Sequence, residues 1–500
     1  MLVETLLESV ALRGDRPAVA DPSQSLTYRE LLGLSLVMRR HVAESTERPN
    51  VGIMLPSTTV CAATVYGALW AGKTVVPLNF MLQPAEVKAI VADAELDVVF
   101  STKFFRELAG SLSCKVIYVE DLPLKEEVSA LATAQASGSA AALPQPPDVN
   151  PDDTAVLLYT SGTSGKPKGV CQTYANLRSN IDSCIERARL KSEHRFLGLV
   201  PLFHSFGLTA MLLVPIRLGA SVHYLPRFQP NSVIDTIRER EISVTMLVAS
   251  MYAALLRSKT GGPADFKSIQ FAIAGGEALP DAVYHAFRSR FGLEILQGYG
   301  MSEASPVVSL NVPWAHKVGT VGQSIPGVTV AAFDEECRQV APGEIGELWV
   351  KGPNIMRGYY KNPAETAAVL TSDGWYKSGD MGTVDADGFI RITGRKKEMI
   401  IVGGENVYPR EIESALEQHS SVSEAAVVGQ KDASRGEVVV AFVILHETAS
   451  ANEIELREFC RDKIAGFKIP RKVIIARDLP RGPTGKILKR KLAELIPSGT

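Results

Sequence analysis

The chain has 500 residues, of which 46% are hydrophobic and 22% charged, a composition typical of a soluble globular protein with more than one domain. Its 53 basic and 55 acidic residues give a formal net charge of −2, so the charge balance gives no reason to expect nucleic acid or an anionic membrane as partner. The six cysteines form no metal-like cluster, and no apolar stretch is long enough to span a bilayer. Because the N-terminus resembles an amphipathic helix with acidic residues rather than a signal peptide, we expect a cytoplasmic protein.

Short apolar runs alternate with helical patterns along most of the chain, which predicts an α/β fold. Residues 129–147, rich in Ala, Ser, Gly, Gln and Pro, are expected to form a surface connection, and residues 327–391 a small β unit. The last hundred or so residues, with helix, strand, strand, helix and strand, suffice for a separate small domain. Buried strands are predicted at 154–159, 196–200, 244–248, 269–274 and 294–296. A motif follows each strand at its carboxyl end, which is where open α/β sheets place their ligands.

The first of these strands leads into a glycine-rich loop, residues 159–169, with the sequence YTSGTSGKPKG. A helical pattern begins near Leu177, so we expect strand, loop and helix, with the helix dipole reinforcing an anion-binding nest of backbone amides. A plain polar surface loop is the alternative, and the Gly-Lys-Ser/Thr ending of a Walker A loop is absent. The order of eleven residues nevertheless favours a polyphosphate site, with further donors and charge from Thr160, Ser161, Thr163, Lys166 and Lys168.

A second loop near the C-terminus, residues 480–487, has the sequence PRGPTGKI and carries Lys486 between flexible neighbours. An exposed tail lysine is the simple interpretation. Together the two loops indicate a nucleotide held at one place and a distant lysine delivered to it. The pair of motifs predicts an enzyme.

Six motifs follow one another along the chain: YTSGTSGKPKG at 159–169, PLFHS at 201–205, GYGMSE at 298–303, WYKSGD at 375–380, GRKKE at 394–398 and PRGPTGKI at 480–487. Taken singly, Asp380 could cap a turn and Glu303 could be a solvated acid; the shared order favours function. This order resembles that of the adenylate-forming superfamily, which contains acyl-CoA synthetases, the adenylation domains of peptide synthetases and firefly luciferase. The resemblance covers essentially the whole chain, and Ser302 and Ser378 keep the hydroxyl where Thr is usual.

The resemblance implies a large N-terminal domain, residues 1–396, with two packed βαβ-layered subdomains and a small β-barrel. It also implies a mobile small α+β domain, residues 397–500, which we call the lid. Lys397 is the implied hinge between them, and hinges concentrate large backbone changes in few residues.

ATP, Mg²⁺ and coenzyme A are the implied cofactors. Asp380 and Arg395 are expected at the ribose, Tyr299 against adenine, and Glu303 at Mg²⁺, for which a carboxylate is a suitable hard ligand. The remaining nucleotide contacts are expected from Thr160, Ser161, Gly162, Thr163, Lys168, Gly276, Glu277, Gly298, Gly300 and Ser302. For coenzyme A the expected contacts are Gly404, in the GGENVYP turn at 403–409, together with Phe467 and Arg471.

Lys486 is expected to stabilise the charge that develops when a carboxylate attacks the α-phosphate of ATP. His204, beside Phe203 and Phe206, is expected in the wall of the acid pocket. Peptide-synthetase domains hold an amino group with an aspartate at this place, so His204 argues against an amino acid substrate. We therefore expect a medium- or long-chain fatty acid, with an aryl acid as the runner-up, and acyl carrier protein as an alternative acceptor to coenzyme A.

Overall fold

The computed structural model describes residues 2–137, 144–161, 167–432, 435–447, 449–481 and 487–496. Within these ranges no helix combines the length and the apolar character that crossing a bilayer requires. The expected contacts Gly162, Thr163 and Lys486 lie outside the described residues, as does the side chain of Ser161.

The first third of the chain alternates helices and strands around buried apolar segments. The second helix begins with a capping box between Thr27 and Glu30, and the third is buried on nearly all sides, which explains why it is apolar throughout. The elements are α1 Leu2–Arg13, β1 Pro17–Ala20, β2 Ser25–Thr27, α2 Tyr28–Ser45, β3 Asn50–Met54, α3 Thr59–Trp70, β4 Thr74–Pro77, α4 Pro84–Asp93, β5 Val98–Ser101, α5 Arg106–Gly110, β6 Lys115–Tyr118 and α6 Leu124–Ala136.

The middle third confirms all five buried strands predicted from the sequence. Part of the expected connection at 129–147 is helical, because α6 extends to Ala136. The elements are β7 Thr154–Ser161, β8 Pro167–Thr173, α7 Tyr174–Arg187, β9 Arg195–Gly198, α8 Ser205–Leu208, α9 Val214–Leu218, β10 Ser221–Tyr224, α10 Pro230–Glu239, β11 Val244–Leu247, α11 Ala249–Arg257, β12 Phe271–Ala274, α12 Asp281–Phe291, β13 Ile295–Gly300, β14 Val307–Leu310 and β15 Gln323–Ser324. A π-helical turn, Thr209–Leu213, joins α8 to α9.

The last third contains the short strands expected at 327–391 and the mixed α+β elements expected after Arg395. The elements are β16 Thr329–Phe333, β17 Gly346–Lys351, β18 Gly358–Tyr359, α13 Pro363–Val369, β19 Tyr376–Val384, β20 Ile390–Arg395, β21 Ile400–Val402, β22 Glu405–Val407, α14 Pro409–Leu416, β23 Val422–Asp432, β24 Gly436–Leu445, α15 Glu453–Arg461, β25 Lys472–Ile475 and α16 Lys489–Glu494.

Two large, mostly parallel sheets form the body of the molecule. One has the order β18-β8-β7-β4-β3-β5-β6 and the other β15-β14-β13-β12-β11-β9-β10-β1-β2. A single apolar core, which includes Tyr66 and Trp70 from α3 and Met211 from the π-turn, packs between them. The expected pair of packed βαβ-layered subdomains is confirmed.

The two remaining sheets are smaller. The order β16-β17-β19-β20 is an open antiparallel sheet in the described residues, where the sequence predicted a small barrel. The lid forms its own sheet, β22-β21-β24-β23, with β25 parallel to β24, around a separate apolar core.

The expectation of strand, loop and helix at the glycine-rich run was wrong. The run connects β7 to β8, which pair antiparallel from Thr154–Thr173 to Ser161–Pro167, and α7 begins only at Tyr174. The helix dipole therefore does not act on this loop. Lys168 is a strand residue, so its side-chain direction is fixed by the hairpin.

Candidate active site

A cavity of about 1530 Å³ lies where the two large sheets, the small sheet and the lid meet. Its wall contains many of the residues expected from the sequence, namely Thr160, Lys168, His204, Gly276, Gly298, Tyr299, Gly300, Ser302, Glu303, Arg395 and Lys397. The fold thus brings together side chains that are up to 237 positions apart in the chain (Thr160 to Lys397).

Asp380 is buried directly behind this wall and is held by two of its residues. Its Oδ2 accepts a hydrogen bond from the Tyr299 hydroxyl at 2.5 Å, and its Oδ1 lies 2.7 Å from Nε of Arg395. Asp380 and Arg395 are direct cross-strand partners in the β19–β20 ladder, which explains their contact. Burial, followed by the charge of Asp380, raises the pKa of Tyr299 well above its usual value, so this phenol stays a donor.

Glu303 lies in a 3₁₀ turn, Ser302–Ala304, directly after β13. Its Oε1 accepts a hydrogen bond from the Tyr359 hydroxyl at 2.9 Å, and its backbone oxygen accepts one from the N–H of Met356 at 2.8 Å. Burial raises the pKa of Tyr359, so the phenol remains protonated and able to donate. Tyr359 was not expected from the sequence.

The carboxylate of Glu303 suits Mg²⁺ better than it suits a metal whose ligands all come from protein side chains. Among the described residues, no group of three or more His, Cys, Asp or Glu side chains converges to hold a metal. Mg²⁺ is typically bound through one or two carboxylates and the oxygens of a substrate phosphate. The single carboxylate of Glu303, in a wall that also contains Lys168, matches that pattern.

Lys168 projects from β8 into the cavity and is only 16% exposed. Its Nζ lies 2.5 Å from Oε2 of Glu365, on α13, and 5.4 Å from the centre of the Tyr359 ring. Burial, followed by the charge of Arg395, lowers the pKa of Lys397, which lines the same wall. The wall has seven cationic residues and five acidic ones, and this excess of positive charge suits a polyphosphate. The cationic wall residues are Lys168, Lys377, Arg395, Lys396, Lys397, Arg481 and Lys491.

His204 caps the short helix α8, where its Nδ1 accepts a hydrogen bond from the N–H of Phe206 at 3.2 Å. Phe203 beside it packs edge-on against Phe80, with ring centres 4.9 Å apart. His204 lines the cavity, as expected of a wall residue.

Most of the apolar wall residues come from a few elements, namely α7 and the residues just after it, the stretch from α8 to α9, β11, β12, and β14 with the residue before it. We call this part of the wall the acyl lobe. The helical stretch from α8 to α9 divides between two environments: Met211, Leu212 and Leu213 are buried in the core, while Phe206, Thr209, Ala210 and Val214 face the cavity. The lobe is lined by Cys184, Ala188, Leu190, Phe206, Thr209, Ala210, Val214, Met246, Ile273, Pro306, Val307 and Leu310. The charged residues of the cavity all come from other elements.

The lid contributes the remaining wall through Arg481, Ile487, Leu488 and Lys491. Arg481 pairs with Ile487 as an isolated bridge, and the N–H of Leu488 donates to the Pro480 carbonyl at 2.7 Å. The described residues on both sides of 482–486 therefore border the cavity, and the position of Lys486 itself stays a prediction.

Besides Asp380, which is buried behind the wall, four expected contacts among the described residues do not line this cavity. Oε1 of Glu277 instead accepts a hydrogen bond from the N–H of Ser250 at 2.6 Å, at the start of α11, so its role beside adenine is not supported. Gly404 lies in the exposed turn between β21 and β22. Phe467 is 37% exposed on the lid, and Nη1 of Arg471 lies 2.7 Å from Oδ2 of Asp432.

Residues 6–360 match the family described as AMP-binding enzyme, and residues 411–486 match its C-terminal domain. The chain belongs to this family. It is 34% identical to the long-chain-fatty-acid–CoA ligase of Bacillus subtilis, over 99% of this chain and 94% of the relative. It is 31% identical to the indoleacetate–CoA ligase of Aromatoleum aromaticum, over 99% and 98%.

Among solved structures, the o-succinylbenzoate CoA synthetase of B. subtilis in complex with ATP and magnesium is 29% identical, with a TM-score of 0.84 over 98% of both chains. These findings confirm the adenylate-forming superfamily and the expectation of an AMP-forming acid–thiol ligase. ATP, magnesium and coenzyme A, the cofactors expected from the sequence, are those of the family.

Proposed function

We propose that this enzyme activates a medium- or long-chain fatty acid in two steps, first to acyl-AMP and then to acyl-CoA. The observation that carries the choice of acid is the acyl lobe. Its wall combines small side chains, Cys184, Ala188 and Ala210, with larger apolar ones, and none of its residues is charged. Such a surface stabilises methylenes by about 0.8 kcal/mol each, and it offers nothing to compensate a buried ammonium.

In the proposed binding mode the nucleotide lies between the hairpin β7–β8 and the pair β19–β20. The ribose hydroxyls would donate to Asp380, which Tyr299 and Arg395 hold in place. Adenine would lie near Tyr299 and Gly276, both in the wall. The phosphates would face the cationic residues, led by Lys168.

Magnesium would be held by Glu303, oriented by Tyr359, and would neutralise phosphate charge when bound. In the first step a carboxylate oxygen of the acid attacks the α-phosphorus of ATP. The bond between the α-phosphorus and the oxygen that bridges it to the β-phosphorus breaks, and pyrophosphate leaves. Lys486 is proposed to stabilise the negative charge shared by the incoming carboxylate and the α-phosphoryl oxygens. A preorganised contact of this kind is typically worth about 10²–10³ in rate.

In the second step the thiolate of coenzyme A attacks the acyl carbonyl and AMP leaves. We propose that the lid, residues 397–500, rotates about Lys397 between the steps, withdrawing Lys486. The exposed turn with Gly404 would then approach the acyl-adenylate, and Phe467 and Arg471 would contact coenzyme A. The exposure of Gly404 and Phe467 in this structure leaves them available for that contact.

An aryl acid is the second candidate. It is supported by the curated relatives, which include the indoleacetate ligase and a feruloyl-CoA synthase 34% identical over 94% of this chain. Transfer to an acyl carrier protein is an alternative to coenzyme A for the second step.

The test is acid-dependent exchange of pyrophosphate into ATP, measured across saturated fatty acids, aryl acids and amino acids. We expect the highest kcat/KM for fatty acids, and AMP release that depends on free coenzyme A. A response to aryl acids alone would reject the lipid assignment, and transfer only to a carrier protein would reject coenzyme A. Lys486→Ala should lower the rate of exchange about 10²–10³-fold; a variant with full exchange would contradict the role given to Lys486.

A further inference from the structure

Lys489 lies three residues after Lys486, at the first position of α16, and contacts carboxylates on two other elements. Its Nζ lies 2.8 Å from Oε1 of Glu413, on α14, and 3.2 Å from Oε2 of Glu398, the residue after Lys397. The Lys489 side chain is 23% exposed and that of Glu413 only 7%. A largely buried ion pair therefore joins the segment that bears Lys486 to the lid core and to the hinge.

Glu413 is held in place by the lid itself. Its Oε1 also accepts a hydrogen bond from the N–H of Val427, in β23, at 2.9 Å. Its helix buries Ile412 and Leu416 completely in the lid core. Because Glu413 is fixed on both sides, its contact with Lys489 defines where α16 begins relative to the core.

The described residues on either side of 482–486 have other attachments to the lid, which include an ion pair between Arg481 and Glu424, on β23. Leu479 and Leu492, each 1% exposed, pack with Val428 and Phe442 on the other face of the lid sheet. The backbone bond between Leu488 and Pro480 closes the base of residues 482–486. These contacts hold the base of the loop against the sheet, and none of them joins it to Glu398.

We propose that Lys489 is a positioning residue for the first half-reaction. Lys489 contacts both Glu398 and Glu413, and it thereby joins the start of the lid to the lid core as one rigid unit. The rotation at Lys397 then determines the position of Lys486. This inference rests on the proposed function. A displacement of about 1 Å at a reacting centre can cost about 10² in rate, so a small shift of α16 suffices.

The second half-reaction depends much less on this ion pair. The turn expected to meet the acyl-adenylate, residues 403–409, is carried by β21 and β22, and β21 pairs with β24 at Val402 and Gly436. Those backbone contacts do not involve Lys489. Loss of Lys489 should therefore separate the two steps.

The experiment measures each step alone in the full-length enzyme. Pyrophosphate exchange reports the first step, and single-turnover conversion of synthetic dodecanoyl-AMP and coenzyme A reports the second. For Lys489→Met we expect exchange to fall about 100-fold, thioester formation to change less than about threefold, and Lys489→Arg to recover most of the exchange. Arg490→Met, at the exposed neighbouring position, is the matched control and should leave both rates unchanged.

Removing Lys489 leaves the buried carboxylate of Glu413 with only Nη1 of Arg410, 3.9 Å from its Oε2, as a cationic neighbour, and this loss can unfold a domain. The double variant Lys489→Met/Glu413→Gln removes that charge and keeps the acceptor for Val427, and it should show the same separation of steps. Unchanged exchange, or an equal fall in both steps with a lower unfolding temperature, would overturn the proposal. Absence of acid-dependent exchange in the unaltered enzyme, or full exchange in Lys486→Ala, would instead reject the proposed function.

Discussion

Lengthening the side chain at position 210 should shorten the fatty acids that the enzyme accepts. Ala210 faces the acyl lobe and is 4% exposed, so the three extra carbons of Ala210→Leu would occupy space otherwise filled by substrate. Displacing about three methylenes, at about 0.8 kcal/mol each, costs about 2.4 kcal/mol, or roughly 50-fold in kcat/KM. That loss should fall on acids that fill the lobe and spare those of about four carbons.

The assay is pyrophosphate exchange against a series of saturated acids, with the unfolding temperature as a check of folding. Leu213→Met is the matched control because Leu213 lies on the same helical stretch but faces the core. It should leave the chain-length profile unchanged. An equal loss for short and long acids, or no loss for either, would refute the assignment of the lobe to the acyl chain.

Three further changes test the nucleotide site and the lid. Tyr359→Phe removes the hydroxyl that orients Glu303, so the Mg²⁺ concentration for half-maximal exchange should rise severalfold; an unchanged Mg²⁺ titration would contradict this role. In Gly300→Ala the new Cβ would lie 2.3 Å from the Pro306 carbonyl oxygen. This contact should displace the turn that contains Ser302 and Glu303, and so weaken ATP binding measured by calorimetry. Gly110→Ala is the control, because nothing lies within 4 Å of its Cβ, and it should leave ATP binding unchanged. Burial raises the pKa of Glu417 from 4.5 to about 7. The protonated carboxyl of Glu417 therefore makes its full contribution to the free energy of unfolding below about pH 4.5. That contribution, up to about 3 kcal/mol, is lost as the pH rises through about 7. Glu417→Gln should match the unaltered protein in unfolding temperature at low pH and exceed it at pH above about 8; parallel curves would show that Glu417 does not titrate in this range.

Five strands of the two large sheets could be predicted because each begins as a short, largely buried apolar run; they are β7, β9, β11, β12 and β13. β8 could not, since Pro167 and Gly169 are residues that usually interrupt a strand. Its strand conformation comes from pairing with β7 on one side and β18 on the other, which is tertiary information. The same hairpin explains why the expected helix dipole is absent from the glycine-rich loop.

Asp380 and Glu303 could be proposed from the sequence because the order of their motifs along the chain is distinctive. The structure brings both to one cavity, and their roles stay predictions. Tyr359 and Glu365 were missed, because their contacts with Glu303 and Lys168 exist only after β18 joins β8. Glu277 follows the wall residue Gly276 in sequence, but the structure does not place it in the wall, and its carboxylate accepts a hydrogen bond from the Ser250 amide at the start of α11.

The π-helical turn Thr209–Leu213 has a consequence for how the binding site can diverge. A π-turn contains one more residue than the α-helical turn it replaces, and each residue of an α-helix rotates the chain by about 100°. Deleting a single residue here would therefore restore an α-helical turn and leave Phe206 of α8 and Val214 of α9 on the faces they now occupy. One codon lost from the gene would then alter the substrate chamber only at the turn itself, where Thr209 and Ala210 line the wall, and leave the helices on either side in place.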